Sequence, residues 1–181
     1  MKRVDEFKAG DVIGFSGRSW DSVLINLATG GIPLWGLSHV GIVGYGKHRP
    51  ELLLFESLGN GVTSSPVEEA VEKYKGRVWA YRLFRHMYLH EVTRMSAYLS
   101  SMIRRSYDVH GATRSAGKVF SFVEALFRKE DLTTLFCSEL VAAQLAYVGL
   151  FATGSASRWN PNHLVRTLRQ LGIVRRPERM K

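Results

Sequence analysis

The chain has 181 residues, 45% hydrophobic and 11% aromatic, which excludes a disordered polymer and gives one domain a sizeable core. Its single cysteine excludes an internal disulfide, and no CxxC or Cys/His cluster points to zinc or any other cofactor. The formal charge is +9, which favours an anionic partner (nucleic acid, lipid headgroups or an acidic cell-wall polymer) without choosing among them.

In chain order, Met1 to Gly10 is charged and holds no apolar signal segment, so the expectation is a cytoplasmic chain or one delivered by a phage or lysis route. Gly10-Asp11-Val12-Ile13-Gly14-Phe15 reads as a turn entering a strand. His39 to Tyr45 is a β-branched run bounded by glycine. Leu52 to Glu56 and Val78 to Leu83 are further strands, with Lys47-His48-Arg49-Pro50 as a hairpin loop between the second and third. Ser65 is placed as the N-cap of a short helix, with Pro66 at its first position and Glu68 and Glu69 in the first turn.

The second half reads as helical. His90 to Arg105 sets Val92, Met95, Leu99, Met102 and Ile103 on one face. Ser115 to Arg128 is a second apolar segment, either a core helix or a lid over a cleft. Leu135 to Val148 carries Cys137 and stops at Gly149. This stretch also holds Ser138, Glu139 and Gln144, so it reads as a buried amphipathic helix and not as a membrane span. Asn162 to Leu171 is a last helix, with Asn160 or Asn162 as cap and Gly172 as stop. The expected architecture is α+β: a small antiparallel sheet packed against helices, one domain over residues 1–174, then a frayed basic tail over 175–181.

Thiol catalysis needs a nucleophile, a base for its proton and a group that orients the base. Cys137 is the only thiol. At the start of a helix, orphan N–H groups and the dipole favour a thiolate and offer the Cys137 N–H as an oxyanion donor. Small apolar filler is an equally good reading of a lone cysteine. Of six histidines, His39 has the best context, at the start of a strand whose body packing would lock. Glu56, after four apolar residues, is either a solvent-facing strand end or a buried functional group. Tyr107 fits a half-buried turn aromatic as well as a hydroxyl donor. Trp20, Trp35 and Trp159 fit a cleft lining or ordinary packing.

Taken together, Gly10-Asp11, Ser38-His39-Val40-Gly41-Ile42-Val43, Phe55-Glu56-Ser57, Tyr107-Asp108-Val109-His110-Gly111, Phe136-Cys137-Ser138-Glu139-Leu140-Val141 and Asn160-Pro161-Asn162-His163 follow one another in an order that resembles the circularly permuted branch of the NlpC-type papain-like cysteine hydrolases, the YiiX-like proteins among them. The resemblance spans about residues 9 to 170. It implies a permuted papain-like fold, with Cys137 as nucleophile, His39 as general base, Glu56 as the residue that orients it and Tyr107 facing the site. It also implies hydrolysis of an amide bond, with a cell-wall peptide as the leading substrate class. Two other readings stay open: a lipid acyltransferase or thioesterase like lecithin:retinol acyltransferase, and a non-catalytic virion or complex component. The basic residues are dispersed and no nucleic-acid recognition motif accompanies them.

Overall fold

A computed structural model of the chain describes residues 6–17, 36–46, 51–58, 61–103, 133–152 and 159–181. Its strands are β1 (Val12–Ser16), β2 (His39–Tyr45), β3 (Leu52–Leu58), β4 (Gly61–Pro66), β5 (Arg77–Tyr81) and β6 (Glu178–Arg179). The described helices are α1 (Val67–Lys73), α2 (Leu89–Met102), α3 (Thr133–Tyr147) and α4 (Pro161–Gln170). The strands form one sheet in the order β4-β3-β2-β1-β5-β6, and each neighbouring pair is antiparallel.

Alternation along the strands sorts the core into two layers. Val12, Val40, Ile42, Phe55 and Tyr81 pack with Met95, Leu99, Cys137, Leu140, Val141 and Leu164 from the helices. Ile13, Phe15, Val43, Leu54 and Val78 pack on the other face with Val67 and Val71 of α1. Gly44 lets α2 approach β2, because a Cβ there would lie 2.7 Å from a Leu99 methyl. Burying a Leu of this kind contributes roughly 2 kcal/mol.

Helix α3 is not amphipathic as expected. Residues 137 to 142, Gln144 and Leu145 are all buried, so it is a central helix covered on nearly every side. It ends where the sequence indicates. Gly149 has φ 77°, its N–H bonds to Ala146 O at 2.9 Å, and the Leu150 N–H bonds to Leu145 O at 2.9 Å, which is the left-handed stop that glycine favours. At the start of α4 the Asn160 side chain accepts the His163 N–H at 2.8 Å, and Pro161 follows it.

Three expectations are corrected. Ser65 does not cap α1; it pairs with Leu54 in β4, and Pro66 stands at the N-cap without a side-chain bond. The strand β4 itself has no counterpart in the sequence reading. The residues from Arg175 onward are not a frayed tail: Glu178 and Arg179 pair with Ala80 and Trp79, Met180 is buried in the second layer, and Lys181 Nζ donates to Glu72 O and Tyr74 O at 2.8 and 2.7 Å. Apolar residues among the charges anchor this segment to the sheet edge.

Candidate active site

His39 is the first residue of β2, and Glu56 lies inside β3, which runs two residues beyond its expected end. The register pairs Ile42 with Phe55, which sets His39 and Glu56 on the same sheet face at diagonal positions. Gly41 makes that meeting possible. A Cβ on Gly41 would lie 3.0 Å from Glu56 Cγ, so glycine leaves the space through which the carboxylate reaches the ring. The His39 Nε2 to Glu56 Oε1 distance is 2.9 Å, with the two side chains 16% and 17% exposed. Glu56 is therefore a half-buried, engaged carboxylate and not a solvent-facing strand end.

The Cys137 thiol is buried in the helix-side layer and hydrogen-bonds the His39 ring at the end of the sheet where β2 begins. Burial alone would lower the pKa of the imidazole. The adjacent Cys137 sulfur, and then the Glu56 carboxylate, outweigh that effect and push it up to about 10. One ring thus contacts both the thiol and a carboxylate, and both contacts favour its protonated form.

The position of Cys137 within its helix differs from the expected one. Helix α3 starts at Thr133, so Cys137 is its fifth residue. In an α-helix the fifth N–H is committed to the carbonyl four residues back. The Cys137 N–H is therefore not the orphan oxyanion donor the sequence reading assigned to it.

Several residues to which the sequence gives no role at the site hold it in place. The Asn162 side chain accepts the Leu37 N–H at 2.7 Å and donates to Leu37 O at 3.0 Å, clamping the chain two residues before His39. The Ser38 N–H bonds to Phe15 O at 2.9 Å, and the Phe15 ring lies 5.6 Å from the imidazole. The Ser138 hydroxyl, next to the thiol, donates to Trp159 O and ties α3 to the approach of α4. Tyr74 packs edge-on against Phe15 at 4.8 Å. Burial raises the pKa of its phenol, a hydrogen bond with Ser38 opposes this, and the Glu56 carboxylate adds to it. Its place beside the pair comes from tertiary packing, which no local motif signals.

Of the other candidates, Tyr107, Trp20, Trp35, His48, His110 and the 115–128 segment lie outside the described residues. Trp159 packs on Phe151 and on His163. His86 meets Lys8 and His90 stacks on Tyr88, both apart from the thiol. Among the described residues no group of three or more His, Cys, Asp or Glu side chains could hold a metal ion.

With this geometry in hand, comparison with known proteins identifies a shared fold. No protein-family model matches the sequence, and no curated protein matches it. Among solved structures the chain is similar to the metalloprotein YiiX (DUF1105) from Escherichia coli O157:H7, with a TM-score of 0.53 and 21% identity over 80% of this chain and 67% of that one. The likeness is one of fold: a mixed α/β chain with a small antiparallel sheet packed with helices.

Proposed function

We propose that this chain is a cysteine hydrolase of the permuted papain-like type, cleaving an amide bond through a thioacyl enzyme. The observation that carries the reading is the single imidazole hydrogen-bonded both to Glu56 and to the only thiol. With Nε2–H donated to Glu56, Nδ1 is the nitrogen left to hold the Cys137 proton. The thiolate attacks the acyl carbon, and the imidazolium passes its proton to the leaving amine. A water, deprotonated by the same ring, then releases the acid and restores the thiol. Glu56 fixes the tautomer and offsets the ring's positive charge, as the carboxylate does in other nucleophile–histidine–acid sites.

Within that reaction class, a peptide of the bacterial cell wall is the substrate we propose, because a +9 chain is attracted to an anionic wall. Two measurements test the two levels separately. Iodoacetamide should alkylate the wild-type thiol at about pH 6 faster than a free thiol, which is still protonated there; a slow thiol would remove the hydrolase reading and favour a binding role. Purified peptidoglycan incubated with wild type should release peptides that Cys137→Ala does not. Fast alkylation without peptide release would keep the enzyme and discard the wall.

A further inference from the structure

At the end of β1 and β5 remote from His39, the segment Phe84–Leu89 turns apolar side chains outward. The strand register fixes that separation: Phe15 pairs with His39, whereas Val12, three residues away, pairs with Tyr81 just before this segment. Phe84 is 65% exposed, Tyr88 64% and Leu89 81%. Exposed leucines are ordinary singly, but four large apolar residues on one edge are not. The fourth is Leu171, 60% exposed. The chain just after it is tied to this segment, since Phe84 N–H bonds to Ile173 O at 2.9 Å and Arg175 N–H to Arg82 O at 2.8 Å.

Cations frame this edge. The Arg85 guanidinium lies 5.2 Å from the Tyr88 ring centre, and that of Arg175 lies 5.8 Å from the Phe84 ring centre. Lys8 lines the adjoining hollow with them. A second hollow beyond Arg175 is lined by Arg166, Arg169, Gln170, Val174 and Arg176, with no acid. The acids near the first hollow are partly committed: Asp11 bonds Arg82, and Glu91 takes Arg85 as a two-bond partner. Glu6 and Glu178 also line it, so the positive excess lies on the arginine side.

We propose that this edge is a peripheral docking surface for an anionic phospholipid bilayer. Phe84, Tyr88, Leu89 and Leu171 enter the boundary between headgroups and acyl chains. Arg175, Arg176 and Lys8 meet the phosphates, their aliphatic stems lying along the apolar layer. No helix of the described residues is long and apolar enough to cross a membrane, so attachment of this kind is interfacial. The surface is independent of the catalytic reading, since it stands at the opposite end of the strands from the thiol.

The test is co-sedimentation of the full chain with vesicles of phosphatidylcholine alone and of phosphatidylcholine mixed with phosphatidylglycerol. Wild type should bind the mixed vesicles, release in high salt, and ignore the neutral ones. Phe84→Ser with Leu89→Ser should weaken binding about tenfold, and Arg176→Gln about fivefold. Leu89→Trp should show a blue-shifted emission on binding. Circular dichroism controls the fold, which these exposed positions should leave unchanged. Failure to bind anionic vesicles, equal binding to neutral ones, or unchanged binding in the double variant would overturn the proposal. A concentration-dependent dimer that the double variant dissociates, with no vesicle binding, would reassign the edge to a second copy of this chain.

Discussion

Asp11 and Glu56 are two carboxylates on one sheet, and they are used in opposite ways. Asp11, at the entry to β1, is 3% exposed. Its oxygens accept the Leu83 N–H at 2.8 Å, the Lys8 N–H at 3.0 Å and an Arg82 N–H at 3.3 Å. Burial raises its pKa against those three bonds. Each partner is a fixed part of the frame, so the carboxylate is a staple. Glu56 instead faces one titratable ring that also hydrogen-bonds a thiol. The lesson is that burial and charge pairing alone do not mark a functional acid. What sets Glu56 apart is a partner that can change its protonation state and also contacts the thiol, the arrangement that the proposed hydrolase requires.

Substitutions should separate the two roles. The largest effect is expected at Cys137: Cys137→Ala should abolish alkylation and any hydrolysis altogether, because no other thiol exists in the chain. Loss of labelling without loss of hydrolysis, measured on the same preparation, would sink the nucleophile assignment. Next is Asp11→Ala, which strands two backbone N–H groups and a guanidinium. It should cost about 3 kcal/mol in urea unfolding, while the alkylation rate of the remaining folded protein stays at the wild-type value. A slowed thiol in that variant would break the contrast between staple and functional acid.

Glu56→Gln should do the reverse. It keeps an acceptor for the ring but removes the charge, so alkylation near pH 6 should fall about tenfold, with a smaller loss of stability than in Asp11→Ala because no backbone N–H is stranded. The pH dependence sharpens the point. The folded pKa of His39 is raised from 6.5 to about 10, so the charged ring contributes stability that is fully present below about 6.5 and is lost as pH rises through about 10. Urea midpoints across that window should therefore decline for wild type and flatten in His39→Gln. A parallel decline in both proteins would show that another group carries the slope.

Local pattern made β2 legible to the residue: a β-branched run between glycines has one sensible reading, and its bounds match. The stops at Gly149 and Gly172 were legible for the same reason, since a positive φ selects glycine. Strand β4 was not, because Val62-Thr63-Ser64-Ser65 offers little apolar alternation and is held by pairing to β3. Strand β6 has two charged residues and no signature of its own; Val174 and Met180 bury on either side of it. Glu56 and His39 were legible as residue types, but their contact depends on a register that only the hairpin sets. Asn162 and Tyr74 act across more than thirty residues of sequence, where no spacing rule reaches.

The smallest predicted effect concerns Gln144, two turns beyond Cys137 on α3. Its side chain is fully buried, and neither amide atom has a hydrogen-bond partner among the described residues. Taking an amide out of water without replacing its bonds is unfavourable by roughly 1–3 kcal/mol. Leucine has a similar reach and nothing to satisfy, so Gln144→Leu should raise stability by about 1 kcal/mol in thermal or urea unfolding. Because its neighbours Leu140, Val141 and Leu145 are all apolar, the site has no polar frame to disturb, and alkylation of Cys137 should be unchanged. If the substitution instead destabilises the protein or slows the thiol, Gln144 is part of the network that supports Cys137, and the polar machinery extends down the central helix beyond the His39–Glu56 pair.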